Sequence, residues 1–174
     1  MFILQFAAKL IKILRSGASP AQIAWGFILG MIIGLTPFWS LHNLIIILLV
    51  IIFNVNIATV IFSFVIFSGI AYLIDPIFHN LGFFLLADVS SLKPLWTILY
   101  NIPVIALSRY NNTVVLGSLV ASLIFLFPVH FFVKKGVIAY REHIDVKIQK
   151  WKIVQVVKSS KIYSLYERIK NLGE

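Results

Sequence analysis

The chain has 174 residues, of which 60% are hydrophobic and 12% are charged, and its net charge is +9. Its mean hydropathy of +0.99 lies outside the range of soluble domains and predicts an integral membrane protein. Because there is no cysteine, disulfides, thiolate catalysis and cysteine-ligated metal sites are excluded.

The longest uncharged tract predicts that most of the chain lies in a membrane. No Asp, Glu, Lys or Arg occurs between Arg15 and Asp75, a stretch of 59 positions, whereas one spanning helix needs about 20 apolar residues. The fold class is an all-α integral membrane protein. We divide it into an interfacial amphipathic helix (1–15), a membrane domain (16–133) and a basic cytoplasmic tail of amphipathic helices (134–174).

The first predicted element is a helix over residues 2–15, whose apolar residues recur at helical spacing while Lys9 and Lys12 fall on the other side. This pattern is typical of a helix in the membrane interface. A second helix is predicted to start at Ser19-Pro20, because serine can cap the first turn and proline fits the first helical position. It is predicted to end before Pro37, which disfavours helical geometry in the preceding residue.

The next feature is a pair of short apolar segments on either side of this proline. Residues 20–35 extend about 24 Å at ~1.5 Å per residue, less than the ~30 Å of hydrocarbon in a bilayer. The run 41–53 is shorter still. Together they predict a glycine-rich hairpin that re-enters on the side from which it came, with two tilted spans as the alternative.

Three glycines, Gly26, Gly30 and Gly34, stand four residues apart in the first of these segments. In lipid this spacing opens a flat stripe on which a second backbone can lie closely. The stripe predicts helix packing, either within the protomer or at an assembly contact.

The remaining membrane elements follow at residue 57. Residues 57–74 are predicted to cross and to stop at Asp75-Pro76. Residues 77–87 and 95–107 are predicted to be interfacial or partly inserted helices around a polar loop. The last crossing is predicted over 113–133, with a kink at Pro128. Lys and Arg concentrate before and after these elements, so the positive-inside rule places both termini in the cytoplasm.

Polar residues within the membrane domain are candidates for function. The turn of the hairpin supplies six candidates for the turn or for lipid contact: Thr36, Pro37, Trp39, Ser40, His42 and Asn43. Four further polar positions follow at membrane depth: Asn54, Asn56, Asp75 and His79. In a re-entrant hairpin the turn lines a hydrated cavity or meets a lipid headgroup; otherwise it lies at the membrane surface, where Trp and His are common.

Enzymatic and metal chemistry have little support in this sequence. Asp75 and His79 can share a helical face, but one carboxylate and one imidazole do not make a metal or proton-relay site. Asp75 also precedes a proline, where aspartate commonly forms a turn. We therefore predict no enzyme activity, no catalytic residue, no metal and no cofactor.

The tail is basic, with ten Lys or Arg against four Asp or Glu after residue 133. Apolar residues form two stripes within it at helical spacing, so it is predicted to form two amphipathic helices. Its candidate membrane-surface residues are Lys134, Lys135, Arg141, Lys147, Lys150 and Trp151. Anionic lipid is the simpler partner, and a protein is the alternative. Nucleic acid is not predicted, because Arg-rich or aromatic-platform patterning is lacking.

Several short motifs resemble those of a bacterial membrane family, domain-of-unknown-function family 2062, over residues 16–135. The motifs are Ser19-Pro20-Ala21-Gln22-Ile23-Ala24, the three glycines, Pro37, and Asn54-Val55-Asn56. Asp75-Pro76 stands where the family pattern has Asn-Pro. Some relatives are similar to small membrane companions of AsmA-like envelope proteins, a class implicated in lipid movement between membranes.

The resemblance implies a function without assigning catalytic residues. It implies a non-enzymatic subunit of the bacterial inner membrane that assists envelope lipid transport together with a larger AsmA-like partner. The polar positions at membrane depth favour a different hypothesis, a small transporter or channel.

Overall fold

The computed structural model describes residues 2–145 and 147, and in this part of the chain all regular elements are helical. The all-α prediction is confirmed to that extent. The α-helices are α1 (Phe2–Leu14), α2 (Pro20–Leu35), α3 (Leu41–Ile52), α4 (Ile57–Phe83), α5 (Lys93–Tyr100), α6 (Pro103–Ala106) and α7 (Thr113–Ala139). Turns of π-helix extend α4 over Phe84–Asp88 and α7 over Tyr140–Asp145, and a 3-10 turn, Ser90–Leu92, precedes α5.

Two of the described helices are long and apolar enough to cross a membrane: α4 and α7, each with its π-helical turn. Large apolar side chains point outward from both, since Leu73 and Phe127 are each 76% exposed. Small polar side chains are buried instead, among them Ser63 and Ser118. This distribution is unfavourable in water and suits a lipid environment.

The chain divides into two compact units, residues 1–135 and residues 136–174. The first unit contains α1 to α6 and α7 as far as Lys135. In the second unit, the described residues complete α7 and form the π-helical turn, where His143 Nδ1 lies 3.2 Å from the Ala139 carbonyl oxygen. The two amphipathic helices predicted for the tail fall largely beyond residue 147, outside the described residues.

The helix α2 begins and ends where the sequence predicts. The Ser19 hydroxyl accepts a hydrogen bond from the Gln22 backbone N–H at 3.2 Å, and the Gln22 side chain accepts one from the Ser19 N–H at 2.7 Å. This reciprocal capping satisfies two backbone donors that the first helical turn leaves unpaired. The helix ends at Leu35, and most of its residues are buried.

The contact between α2 and α4 is a close approach of two backbones. A Cβ atom added at Gly26 would lie 2.7 Å from the Asn56 carbonyl oxygen, and one at Gly34 would lie 2.8 Å from that of Phe64. At Gly30 it would overlap a backbone carbonyl of α4. Successive glycines on α2 thus meet successive turns of α4, so the two helices run parallel.

The helix α3 brings the chain back to the start of α2. After α3 ends, the Asn56 backbone N–H donates a hydrogen bond to the Gln22 carbonyl oxygen at 3.3 Å. Ile46 on α3 is buried in a cluster with Ile28, Leu29 and other α2 residues. The segments α2 and α3 therefore form an antiparallel hairpin, and α4 starts at the same end of the first unit as α2.

The predicted helix stop at Asp75-Pro76 is wrong. The helix α4 continues through Pro76 to Phe83, so residues 77–87 extend it and are not a separate interfacial helix. An internal proline removes one backbone hydrogen bond, a loss that membrane helices tolerate when neighbouring helices compensate. Here α7 packs on the segment of α4 that follows the proline.

The helices α4 and α7 also meet through glycine. A Cβ atom at Gly82 would overlap the Thr113 backbone, and one at Gly117 would overlap the Phe78 carbonyl. The pairing order shows that α4 and α7 are antiparallel. Farther along α7, the His130 ring lies 4.7 Å from the Trp25 ring of α2.

The connection between α4 and α7 is tied down by two aromatic residues. Trp96 Nε1 donates to the Leu85 carbonyl oxygen at 2.9 Å, and the Tyr110 hydroxyl donates to the Trp96 carbonyl oxygen at 2.9 Å. Burial raises the pKa of Tyr110, and the charge of Tyr100 raises it further. The polar loop predicted over 88–94 is shorter than expected, because α5 already begins at Lys93.

Candidate functional site

The turn between α2 and α3 is held by Asn43, which is 1% exposed. Its side-chain amide donates to the Pro37 carbonyl oxygen at 3.0 Å and lies 3.3 Å from that of Phe38. The Thr36 hydroxyl lies 3.0 Å from its carbonyl oxygen and 2.8 Å from the Ile32 carbonyl oxygen, so the single hydroxyl proton is shared between the two. Since buried backbone carbonyls are costly when unpaired, Asn43 stabilises a turn that lacks regular backbone hydrogen bonds.

A second pair of polar side chains closes the same turn. The Ser40 hydroxyl donates to the Pro37 carbonyl oxygen at 2.8 Å, and His42 Nε2 lies 2.9 Å from the same hydroxyl oxygen. With the serine proton donated to Pro37, the tautomer of His42 that carries a hydrogen on Nε2 can donate to Ser40. Trp39, by contrast, is 85% exposed. The turn thus has a polar interior and an aromatic outer surface.

The turn lies beside the first half of α4. The Phe38 ring is 5.9 Å from the Phe64 ring, and a Cβ atom at Gly34 would approach the Ser68 backbone nitrogen to 3.1 Å. Ser68 is eleven residues after the first residue of α4, a rise of about 17 Å at ~1.5 Å per residue. The complete helical segment 57–88 has 32 residues. The α2–α3 hairpin therefore covers less than half of it.

Asn56 joins three segments at the opposite end of this hairpin. Its side-chain oxygen accepts from both the backbone N–H and the hydroxyl of Thr59, each at 2.9 Å, and caps α4. Its amide nitrogen is 3.3 Å from the Ser16 hydroxyl oxygen. These contacts are structural, since they connect the α1–α2 linker to α4. Asn54, two residues earlier, is exposed.

The polar positions at membrane depth are not brought together. Asp75 is nineteen residues beyond Asn56 on the same helix, about 29 Å away at ~1.5 Å per residue. His79 Nδ1 lies 2.6 Å from the Thr113 hydroxyl oxygen and not against Asp75. Among residues 2–145 and 147, no three His, Asp or Glu side chains cluster closely enough to hold a metal ion.

A family assignment follows from sequence comparison. A family model described as "Uncharacterized protein conserved in bacteria (DUF2062)" matches residues 4–144. The chain belongs to this family. A relative named "Uncharacterized protein" from Treponema pallidum (strain Nichols) is 27% identical over 152 residues, which cover 87% of this chain and 93% of the relative. No solved structure matches.

The resemblance noted from the Ser19-Pro20 region is thus confirmed at the level of the family. The match extends beyond the predicted range 16–135 at both ends, and it includes most of α1. The helix α1, which sequence reasoning placed in the interface, is therefore part of the family pattern together with the membrane helices.

The candidate tail residues are only partly described. Lys134 and Lys135 are exposed in the first unit, where Lys135 Nζ lies 4.3 Å from the centre of the Phe131 ring. Arg141 lies in the π-helical turn of the second unit, and Lys147 is exposed. Lys150 and Trp151 fall outside the described residues, so their predicted roles stay predictions.

Sequence reasoning missed Gly82 and Gly117. Gly117 is followed four residues later by the buried Ala121, and small residues at this spacing are a known signal for close helix contact. Gly82 has no such companion on α4, so its role depends on α7 lying opposite. Sequence reasoning also missed a cavity between α1 and α4. The residues that line it are Phe6, Lys9, Lys12, Ile13, Ser16, Asn56, Ala58, Ile61, Phe62 and Val65.

Proposed function

We propose that this protein is a non-enzymatic subunit of the bacterial inner membrane that assists envelope lipid transport through a re-entrant α2–α3 hairpin, together with a larger membrane partner. The observation that carries the proposal is the depth of the hairpin against α4. That the partner is AsmA-like rests on the family resemblance alone.

The depth follows from the contacts between α2 and α4. Both helices start at one end, because the Asn56 N–H reaches the Gln22 carbonyl oxygen. The turn then lies level with residues 64–68 of α4, about 11–17 Å along a helix that rises ~1.5 Å per residue. If α4 enters the hydrocarbon near Ile57, the turn lies near the middle of a layer ~30 Å thick.

A polar turn at this depth would perturb the bilayer. Irregular backbone is tolerated within hydrocarbon only where protein or water covers it, and here Asn43 and Ser40 cover part of it from inside. On the outside, Trp39 faces the surroundings. This arrangement supports local thinning or hydration of the membrane beside the turn, which would ease the movement of lipid headgroups.

The outer face of α3 supports a membrane partner. Four large apolar side chains on it are more than half exposed: Leu44, Ile45, Leu48 and Ile51. They form a continuous surface that either lipid tails or an apolar helix of another protein can cover.

The distribution of basic residues supports a cytoplasmic location for the N-terminus. Arg15 and the adjoining Ser16 lie at the end of the first unit where α2 and α4 begin. Lys134 lies one helical turn after His130, whose ring contacts the Trp25 ring near the same end. Lys93 and Arg109 lie in the connection at the opposite end, between α4 and α7. The cation-rich end is expected to face the cytoplasm.

Two of the candidate acid–base side chains are engaged in local contacts. His42 contacts Ser40 at the α2–α3 turn, whereas His79, one helical turn beyond Asp75 on α4, contacts Thr113 of α7. Catalysis requires such groups within hydrogen-bond reach of one another or of a substrate.

Cysteine accessibility tests the re-entrant hairpin, since the chain contains no cysteine of its own. Trp39→Cys reports on the turn, Gly17→Cys on the end where α2 starts, and Ser91→Cys on the opposite end. A membrane-impermeant maleimide applied to intact spheroplasts should label Ser91→Cys, and it should label Gly17→Cys only after lysis. Trp39→Cys should react slowly from both sides. Labelling of Trp39→Cys from the Ser91 side at the Ser91 rate would contradict the hairpin.

Purification in a mild detergent, followed by mass spectrometry of proteins and lipids, tests the partnership. The full chain should co-purify with a larger membrane protein and with lipid. Leu48→Trp on the outer face of α3 should reduce recovery of the partner, whereas Leu73→Trp on exposed α4 should not. A chain that retains neither partner nor lipid would count against the proposal.

A further inference from the structure

The helix α1 lies against the first half of α4 with a cavity between them. The Phe6 ring is 4.8 Å from the Phe62 ring, while the Ser16 hydroxyl lies beside Asn56 at the start of α4. The two helices are therefore antiparallel, and the N-terminal end of α1 points along α4 in the direction of the α2–α3 turn. The cavity has a volume of about 440 Å³, within the ~300–1,000 Å³ typical of small-molecule sites.

The cavity lining separates into an apolar wall and a basic rim. The wall is formed largely by Ala58, Ile61 and Val65 of α4, together with the Phe6 and Phe62 rings. Lys9 and Lys12, three residues apart on α1, supply positive charge, and none of the described residues that line the cavity is acidic. An apolar cavity with a basic rim is complementary to a molecule with an apolar tail and an anionic head.

The position of the two lysines makes charge neutralisation important. Both lie between the level of Asn56 and that of Phe62, six residues or about 9 Å along a helix with a ~1.5 Å rise. With Asn56 at the membrane surface, Lys9 and Lys12 lie at or just below the headgroups. Cations at this depth are costly unless they reach the surface or meet an anion.

We propose that the cavity between α1 and α4 binds one anionic phospholipid. Its phosphate lies between Lys9 and Lys12 near the level of Asn56, and one acyl chain runs along Ala58, Ile61 and Val65. The site uses the membrane placement of the proposed function but depends neither on the α2–α3 turn nor on lipid transport.

Native mass spectrometry of the full chain tests this site with phosphatidylglycerol and phosphatidylcholine of identical acyl chains. The wild type is expected to prefer phosphatidylglycerol. Lys9→Gln/Lys12→Gln should weaken its binding by about fivefold for each lysine, which is the usual effect of one cation near an anionic lipid surface. Lys93→Gln/Arg109→Gln removes the same charge from the opposite end and should leave binding unchanged.

A second variant distinguishes lipid binding in the cavity from general electrostatic attraction, including attraction to the basic tail. Ala58→Phe fills the apolar wall without altering any charge, and it should also lower phosphatidylglycerol binding. Leu73→Phe, on an exposed face of α4 outside the cavity, is the matched control. If Ala58→Phe does not yield folded protein, the lysine variants decide.

Three results would overturn the proposal. Equal binding of the two lipids by the wild type is one, and unchanged phosphatidylglycerol binding by Lys9→Gln/Lys12→Gln is another. The third is a dimer that dissociates on Ala58→Phe without any lipid preference, because a second copy would then fill the cavity. None of these results alters the labelling expected at Trp39, so the site and the proposed function fail separately.

Discussion

The two glycine contacts of α4 differ in how they are built. With α2, all three glycines come from one helix and meet carbonyl groups on successive turns of α4. With α7, each helix contributes one glycine, and Gly82 meets the first residue of α7, Thr113. The first contact fixes α2 along most of its length, whereas the second fixes α7 near its start. The helix α2 is therefore the less adjustable of the two.

The two halves of α4, which carry these two contacts, also differ in what surrounds them. The first half of α4 is flanked by α1, α2 and the α2–α3 turn, and Thr59 and Ser63 are buried there. The Ser63 hydroxyl donates to the Phe27 carbonyl oxygen at 2.5 Å. In the second half, Tyr72, Leu73 and Ile77 are largely exposed. The first half thus packs on three neighbouring segments, whereas the second half packs on α7 through Phe78 and Gly82.

The largest loss of stability is expected for Gly30→Ala. Its Cβ overlaps the Val60 carbonyl, and α2 cannot move away while Gly26 and Gly34 hold it at the same distance. We expect a loss of about 3 kcal/mol, the upper part of the range for overpacking, despite the ~1 kcal/mol by which alanine favours a helix. Thermal unfolding in detergent measures it. Gly69→Ala, whose added Cβ meets no atom within 4 Å, should melt at a temperature no lower than that of wild type. Equal melting temperatures of wild type, Gly30→Ala and Gly69→Ala would contradict the contact.

A smaller loss is expected for Asn43→Leu, which tests the turn at the end of the α2 contact. Leucine has a similar volume but removes the hydrogen bonds of the Asn43 side chain to Pro37, Phe38 and Thr36. Ser40 still donates to the Pro37 carbonyl, so we expect a loss of about 2 kcal/mol, from hydrogen bonds worth ~0.5–1.5 kcal/mol each. Thermal unfolding and faster labelling of Trp39→Cys in the same chain measure it. Asn54→Leu, at an exposed position, is the control, and identical behaviour of the two leucine variants would argue against the turn network.

A Gly→Ala substitution in the contact between α4 and α7 should destabilise the protein less than one in the contact between α4 and α2. Gly117→Ala places a Cβ against the Phe78 carbonyl, but this contact lies near the start of α7 and does not extend along the helix as the α2 contact does, so α7 can tilt away from α4. We expect about 1.5 kcal/mol, the lower part of the overpacking range, by the same unfolding measurement. Gly136→Ala, with open space around its Cβ, is the matched control. A larger loss than for Gly30→Ala would reverse the comparison between the two contacts.

Much of the first contact could be predicted from sequence because its signals are local and periodic. Ser19, Pro20 and Gln22 specify the start of α2 within one turn, and glycines four apart mark one face of a helix. The family match and the all-α architecture agree with this reading. The partner of the glycine face was not predictable, because choosing α4 requires knowing how α3 folds back.

The second contact shows where local rules fail. Asp75-Pro76 predicts a helix stop, but one lost hydrogen bond is a small penalty in a long apolar helix that packs against α7. Gly82 carries no periodic signal of its own, since its partner Thr113 is distant in sequence. The cavity at Lys9 and Lys12 likewise arises only when α1 lies against α4, a placement that amphipathicity alone does not determine.

The smallest effect is expected for Tyr110→Phe, in the connection beside the second contact. It removes the hydrogen bond to the Trp96 carbonyl, worth about 1 kcal/mol, in thermal unfolding near neutral pH. Since burial raises the pKa of Tyr110, the unfolded chain loses this proton first, near the ordinary tyrosine pKa of about 10. The contribution is therefore complete below that pH and declines as pH rises through the raised pKa. The difference between wild type and Tyr110→Phe should shrink accordingly; a difference that grows with pH would mean that the hydroxyl does not act as the donor.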